Sequence, residues 1–292
     1  MYKGIHISPF FCHFIILFLS LQLKYIKAME EGLVSVIMPT YNSGRFLAQS
    51  IDSILNQSYK HLELLVTDDC SSDSYTIAIL KHYAEKDNRV KVVYLKENKG
   101  PGVARNNAIK RAQGQYIAFC DSDDRWMADK LEIQLTAMRE GGYALCCSSY
   151  LISDNNDNVT GVNVSPRRIT FSMMKRDNKI GCLTAVYDIR ALGKKYFMPT
   201  IRKRQDWALF IAITRDCQVA CGIQKPLAYY RKRNDSISSK KMHLIKYNVA
   251  VYRQCLHFSK LKSIMYFTFF FLPTYGLKTI KKKIDSYRYI HK

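Results

Sequence analysis

The sequence predicts an α/β protein with a mostly parallel sheet flanked by helices, and three observations lead there. Apolar runs of strand length alternate with helix-length patterns through the first half of the chain. Three of those runs end abruptly in polar residues just before a helix or loop. The fourth, Tyr116-Ile117-Ala118-Phe119-Cys120, runs directly into Asp121-Ser122-Asp123-Asp124. A buried strand carries no unpaired charge, so these acids belong at its exposed end, and in an open parallel sheet such ends line one crevice.

The first strand, Leu33–Met38, stops at Pro39-Thr40-Tyr41-Asn42, because proline has no N–H to give to a ladder. Asn42 or Ser43 caps a helix whose Leu47, Ile51, Ile54 and Leu55 share one face. Leu62–Val66 is the second strand and ends in Thr67-Asp68-Asp69-Cys70-Ser71-Ser72-Asp73. A helix that buries Ile77, Leu80 and Tyr83 follows. Val90–Leu95 is the third strand; it leads through Asn98-Lys99-Gly100-Pro101-Gly102 to a helix from Val103 to Ala112. Beyond Gly141 the alternation lapses. Short strands at Tyr143–Ser149 and Cys182–Tyr187, a hairpin turn at Asp154–Asn158 and a helix from Gln205 to about Arg215 are expected there. The pattern does not set the topology of that half.

Asp121 and Asp123, two residues apart, point to one side. Paired carboxylates suit a hard cation, Mg²⁺ or Mn²⁺, shared with a diphosphate, since Mg²⁺ keeps waters and substrate oxygens among its ligands. A nucleotide diphosphate substrate follows. The competing reading of the same residues is a solvated turn that closes a strand.

The 45 Lys and Arg against 24 Asp and Glu give a formal charge of +21. From Lys225 to Lys292 the basic residues are opposed only by Asp235 and Asp285, so the excess is concentrated at the end of the chain. A basic end beside apolar segments suits an anionic membrane surface, and nucleic acid is the competing partner. The nine cysteines show no Cys-x-x-Cys spacing, which argues against a disulfide framework or a zinc site and for a reduced, cytosolic catalytic part. Ile5–Leu23 is mostly apolar but interrupted by Pro9, His13 and Gln22. Met29 is the expected start, with the first 28 residues an upstream extension and residues 1–30 set apart from the catalytic domain; a chain that begins at Met1 favours an N-terminal anchor instead.

Five segments occur in order along the chain. They are Val34-Ser35-Val36-Ile37-Met38-Pro39-Thr40-Tyr41-Asn42, then Thr-Asp-Asp-Cys-Ser-Ser-Asp from Thr67, Asn-Lys-Gly-Pro-Gly-Val-Ala-Arg-Asn from Asn98, Asp-Ser-Asp-Asp from Asp121, and Arg-Gln-Asp-Trp-Ala-Leu from Arg204. Together they resemble the family-2 inverting glycosyltransferases. The likeness covers Leu33 to Ser238 and is nearest to members that build bacterial capsular, teichuronic or O-antigen polysaccharides. It implies the A-type glycosyltransferase fold: a Rossmann-like nucleotide half joined to an acceptor half, within a catalytic domain at 31–238, followed by a basic, aromatic-rich helical segment at 239–292.

The resemblance also implies roles. Asp69 accepts the ring N–H of the base; a carboxylate only accepts hydrogen bonds, so it favours uracil. Pro39, Thr40 and Tyr41 form the wall beside base and ribose, and Arg105 reaches base or phosphates. Asp123 is the metal ligand, and Asp121 touches ribose or metal. Asp68 holds the turn, Asp73 caps a helix, and Asp124 is either a third acid of the site or a helix cap. Asp206 matches the general base that deprotonates the acceptor hydroxyl, with an N-cap as its alternative. Gln205 and Trp207 line the acceptor site, the indole stacking on a sugar face. Arg231 and Arg233 lie where similar enzymes carry a loop that closes over the phosphates; Arg233 stands near the place of a frequent histidine.

The expected activity is transfer from a nucleotide-sugar donor to a lipid-linked saccharide acceptor, at the cytoplasmic face of the inner membrane. Ser263–Gly276 is too short, and broken by Pro273, to be a full span. It lies in the interface beside Lys278 and Lys281–Lys283, or packs on the catalytic domain as core. A sugar nucleotidyltransferase is the nearest rival, but the segment after the first strand lacks a Gly-rich triphosphate loop. A dehydrogenase is disfavoured by the missing Gly-x-Gly-x-x-Gly, and a nucleic-acid-binding protein explains neither the acids nor Asp206.

Overall fold

The structure, a computed structural model, describes Ser20, residues 28–233 and residues 244–291. The apolar segment Ile5–Leu23, apart from Ser20, and the loop Asn234–Ser238 lie outside the described residues.

Strands β1 (Glu30–Thr40), β2 (Leu62–Asp68), β3 (Val90–Tyr94) and β4 (Gly114–Phe119) run parallel in the order 3-2-1-4. The chain moves outward from β1 to β3 and then returns to the other side of β1, which opens a crevice at the carboxyl ends of β1 and β4. Every residue of β2 is buried, as expected of a strand covered on both faces. Buried Glu63 within it is satisfied by Ser35 Oγ (2.6 Å), Lys91 Nζ (2.8 Å) and the Gln113 N–H (2.8 Å). Burial pushes its carboxyl up, but these donors hold it below its ordinary value.

The period-2 alternation divides the core into two layers. Val36, Met38, Leu64 and Val66 pack with helices α1 (Gly44–Leu55), α2 (Ser74–Lys86) and, through Leu131, Leu135 and Met138, α4 (Lys130–Gly141). Ile37, Leu65, Ile117 and Phe119 face α3 (Pro101–Arg111) and α7 (Gln205–Cys217) on the other side. Short helices α5 (Phe171–Arg176) and α6 (Ile189–Leu192) lie between.

The second half extends the same sheet. Strands β5 (Arg125–Trp126), β6 (Leu145–Ser153), β9 (Val186–Asp188) and β10 (Val219–Arg231) complete the order 3-2-1-4-9-6-10-5, with β7 (Val159–Asn163) on β6 and β8 (Arg168–Thr170) on β10. β9 runs antiparallel to β4 and β6, whereas β10 is parallel to β6. The turn at Asp154–Asn158 joins β6 to β7 as expected; the Asp154 carboxylate accepts from the N–H of Asn156 (2.8 Å) and Asn158 (3.0 Å).

Three expectations change. β1 begins at Glu30 instead of Leu33, because Gly32 adopts φ +73° and lets an irregular first stretch pair with Gly114. Cys182–Thr184 is a 3₁₀ turn and only Val186–Asp188 is strand: the carbonyls of Leu183 and Thr184 accept from Trp126 Nε1 and Gln134 Nε2 (both 2.8 Å), not from a ladder. Pro273 does not end its helix. α9 (Lys260–Tyr266) passes through a π turn (Phe267–Phe271) into α10 (Leu272–Ile290), and the proline follows just after the π turn, where the i→i−4 ladder is already irregular.

Helix α8 (Leu244–Cys255) and the π turn dock on α7. Tyr252 is fully buried, with its ring 5.6 Å from Trp207, and Phe271 lies 5.5 Å from Trp207. α10 lies along β7, where Ser286 Oγ accepts from the Val162 N–H (3.0 Å) and donates to its carbonyl (3.2 Å). No helix among the described residues is long and apolar enough to cross a membrane. The outer side of α9 and α10 nevertheless exposes Leu261, Met265, Phe269, Leu277, Ile280 and Tyr287. Because Tyr252 fills the contact between α7 and α8, Tyr252→Ala is expected to lower unfolding stability by about 3–5 kcal/mol in urea titration; a surface-like change below about 0.5 kcal/mol would mean that α8 is not part of the core.

Candidate active site

The mouth of the crevice is built by the segments that follow β1 and β2. Asn42 adopts φ +46°, and its Oδ1 accepts from the N–H groups of Ser72 and Asp73 (both 3.0 Å) while its own N–H donates to Ser71 Oγ (2.8 Å). Asp68 accepts from Ser71 N–H (2.9 Å) and Oγ, so it holds the turn. Asp73 is the N-cap of α2, accepting from Tyr75 and Thr76.

Asp69 is buried directly behind them. Its two oxygens take the N–H groups of Lys99 (2.8 Å) and Gly100 (2.7 Å), and its own N–H donates to the Thr40 carbonyl (2.9 Å). Gly100 adopts φ +86°, which a residue with a Cβ avoids, and this turns the Asn98–Gly102 segment onto the carboxylate. Each carboxylate oxygen has two lone-pair sites, so Asp69 retains accepting capacity beyond these bonds. Pro39 and Thr40 are buried, and the Thr40 hydroxyl has no hydrogen-bond partner. Tyr41 alone of the three is open, at 49 % exposure.

The acids form a tight turn in which the Asp124 N–H donates to the Asp121 carbonyl (3.1 Å). Ser122 Oγ donates to Ser43 Oγ (2.8 Å), which donates to the Tyr41 carbonyl (3.1 Å), so the turn is tied to the end of β1. Asp121 is ion-paired with Arg105 of α3. Asp123 has Arg233 at 3.4 Å. Burial, and then the neighbouring Asp121 charge, raise the Asp123 carboxyl above its ordinary value, with Arg233 opposing.

Asp124 differs from expectation: it caps no helix, because α4 starts at Lys130 with Asp129 before it. Asp124 is buried, and its carboxylate accepts from the Arg231 N–H at the end of β10 (3.0 Å). Burial and then the charges of Asp123 and Asp121 drive its carboxyl well above the usual range.

Arg231 also differs. It is no part of an exposed phosphate loop: its guanidinium is buried, donating to the carbonyls of Asp123 (3.1 Å) and Asp154 (3.2 Å) and to Gln49 Oε1 (3.1 Å). It pairs with Asp157 (2.7 Å) and lies 4.1 Å above the Phe46 ring. Arg105 likewise serves Asp121 first, which leaves Arg233 the part-exposed arginine beside the acids.

Among the described residues no group of three or more His, Cys, Asp or Glu side chains is arranged to hold a metal. Asp121 and Asp123 are two part-exposed carboxylates, each with a guanidinium beside it. That donor set fits Mg²⁺ or Mn²⁺, which take the remaining ligands from water and diphosphate oxygens.

Across the crevice α7 begins at Gln205, with Arg204 at φ +68° as an N-cap that contributes no side-chain bond. Asp206 is therefore in the first turn and is not the cap; its Oδ2 accepts from Asn178 Nδ2 (2.9 Å). The Gln205 amide lies against Gly102, so close that a Cβ on that glycine would meet it at 2.1 Å. This contact sets the start of α7 against the start of α3. Arg105, one turn after Gly102 on α3, pairs with Asp121; burial lowers its guanidinium, but the charges of Asp121 and, less strongly, Asp206 raise it, and the net shift is upward.

Trp207 overturns its expected role. It is fully buried, donates from Nε1 to the Met174 carbonyl (2.7 Å) and packs on Tyr252 and Phe271, so it offers no face to a sugar. Its place on the inner side of α7 is compatible with a part-exposed Asp206 before it, since successive residues of a helix point about 100° apart. Sequence reasoning missed Asn178 and Asn106, whose amide clamps Met198 through both groups (2.9 and 2.7 Å). Asn106 closes the motif that starts at Asn98, but its partner lies 92 residues further on, and Asn178 lies in none of the five motifs.

With this geometry in place, comparison with known proteins gives a consistent answer. The family described as Glycosyl transferase family 2 matches residues 35–198. The chain belongs to that family. It is 42 % identical over 233 residues to the putative teichuronic acid biosynthesis glycosyltransferase TuaG of Bacillus subtilis, covering 79 % of this chain and 92 % of the relative. It is 38 % identical over 221 residues to WfgD of Escherichia coli, a UDP-Glc:α-D-GlcNAc-diphosphoundecaprenol β-1,3-glucosyltransferase, covering 75 % and 84 %. The fold of this family 2 glycosyltransferase is similar to that of S. aureus TarS 1–349 solved with UDP-GlcNAc (TM-score 0.61, 22 % identity, 81 % of this chain and 73 % of that one). It also resembles the Pyrobaculum calidifontis mannosyltransferase PcManGT with GDP-Man and Mn²⁺ (TM-score 0.55, 18 % identity, 85 % and 74 %).

Proposed function

We propose that this glycosyltransferase transfers a sugar, with inversion, from a UDP-sugar to a hydroxyl of a saccharide carried on a lipid diphosphate, in the synthesis of a cell-surface polysaccharide. The observation that carries this reading is the contact between the starts of α7 and α3: the Gln205 amide, next to Asp206, lies against Gly102, one turn before Arg105, whose guanidinium pairs with Asp121 at the tip of β4. The names of TuaG and WfgD support the polysaccharide and the lipid-linked acceptor, and the UDP-GlcNAc held by TarS supports a uridine donor.

In this reading the base lies over Pro39 and Thr40, beside the half-exposed Tyr41, with its ring N–H toward Asp69. Asp206 takes the proton of the acceptor hydroxyl as the oxygen attacks the anomeric carbon, and the bond from that carbon to the diphosphate breaks on the opposite face. A divalent cation held by Asp123, with Asp121, would stabilise the charge that develops on the departing diphosphate. Arg233 moves from Asp123 to that diphosphate when donor binds, while Arg105 and Arg231 hold the acid turn in shape.

The apolar outer side of α9 and α10, with Lys281–Lys283 near it, would place the protein peripherally on the cytoplasmic surface of the inner membrane, where the acceptor lies; Lys278 is taken up by Asp177 and Asn178 instead.

Asp206→Asn is expected to keep UDP-sugar affinity but to slow transfer by a factor of about 10²–10⁴ in single-turnover assays; near-normal turnover would remove Asp206 from the base role. Transfer should stop in excess chelator and return with Mg²⁺ or Mn²⁺, whereas persistence in chelator would rule out the cation on Asp123. Vesicles rich in phosphatidylglycerol should float the protein at low salt, and a chain truncated after Lys260 should stay behind; equal recovery of both would exclude docking through α9 and α10.

A further inference from the structure

We propose that Asn178 positions Asp206 for transfer and that Lys278 of α10 fixes Asn178 in turn, so that the last helix forms part of the catalytic apparatus. The inference rests on Asp206 being the base.

Asn178 lies just past α5, in Asp177-Asn178-Lys179. Its Oδ1 accepts from the Ile180 N–H (3.2 Å), which orients the amide and leaves Nδ2 to donate to Asp206 Oδ2 (2.9 Å). One oxygen of Asp206 is thereby tethered, and Oδ1 is left for the acceptor. A carboxylate on a short side chain in the first turn of a helix retains rotational freedom about χ2, and a single directional donor removes it.

Asn178 is held in its turn from the far end of the chain. Lys278 Nζ donates to the Asn178 carbonyl and pairs with Asp177 Oδ2 (2.9 Å). The Asp177 carboxylate is buried and takes Lys179 Nζ as well (3.2 Å). Burial, the first influence on Lys179, lowers its ammonium, and Lys278 lowers it further against the pull of Asp177. Two ammonium groups on one buried carboxylate are a specific arrangement, not a solvated surface pair. The fixed path runs from α10 through Lys278 and Asn178 to Asp206.

The opposite side of Asp206 is braced independently. Trp207 is locked by the Met174 carbonyl and by Tyr252 and Phe271 of the same C-terminal segment. Both the backbone that carries Asp206 and the group that orients its carboxylate therefore depend on residues after 244.

The test uses the full chain in membrane-free buffer, with UDP-glucose or UDP-GlcNAc as donor and a synthetic GlcNAc α-diphosphate on a short alkyl chain as acceptor, so that membrane docking does not enter. Asn178→Ala is expected to lower kcat about 10–100-fold with donor and acceptor KM changed by less than about a factor of two. Asn178→Asp, of the same shape, should lower kcat further because it sets a second carboxylate against Asp206. Lys278→Met should lower kcat severalfold. Thermal unfolding of each variant is followed in parallel. The positioning role is overturned if Asn178→Ala and Lys278→Met keep wild-type kcat, or if their loss matches only the unfolded fraction. Full turnover by Asp206→Asn would overturn the base reading and this inference with it; an inactive Asp206→Asn beside a fully active Asn178→Ala would overturn this inference alone.

Discussion

Three carboxylates within four residues, set at the end of a strand that is buried along almost all its length, impose the charge balance around which the rest of the site is arranged. Each acid answers it differently. Asp121 takes the guanidinium of Arg105 from α3, Asp124 is buried and accepts a backbone N–H from β10, and Asp123 keeps part of its surface open with Arg233 nearby. Low dielectric makes unpaired charge expensive, so the acids fix which arginines approach and from which elements. Arg231 illustrates the outcome: it spans the acid turn, the β6–β7 hairpin and α1, and thus binds the second half of the chain to the first.

The same constraint separates positioning from reaction. The groups most deeply engaged, Arg231, Asp124 and Trp207, are frame members held by hydrogen bonds within the protein. Tyr41, Asp121, Asp123, Arg233 and Asp206 keep part of their surface open, and under the proposed function these meet the substrate. A crevice so divided holds its open groups in register, because each acid or arginine stands one or two residues from a locked neighbour: Asp123 beside Asp124, Arg233 beyond Arg231, Asp206 next to Trp207.

The C-terminal segment belongs to this frame. Its inner side supplies Tyr252, Phe271 and Lys278 to α7 and to the segment before it, while its outer side carries apolar residues and lysines. The aromatic run that reads as either interface or core is split by face: Phe267 and Phe271 are buried in the core, whereas Phe269 and Phe270 are exposed. A helix has two sides, and composition averages over both.

Much of the first half, β1 to β4 with their helices, was legible in the sequence itself. Strand, polar end, helix is a local pattern, and period 2 against period 3.6 carries it; the ordered motifs then tied that pattern to a family. Asp68 and Asp73 were legible as turn and cap for the same reason, since their partners lie within three residues. Only the tertiary structure decided that Asp124 meets Arg231, that Trp207 turns inward, that Pro273 passes within a continuous helix, and that Asn178 reaches Asp206. The pairs among those outcomes join residues 28 to 107 positions apart, and the rest depend on which side of a helix the chain covers. Propensity and spacing hold no information about such pairs; burial and the pairing of charge select them once the sheet has brought distant segments together.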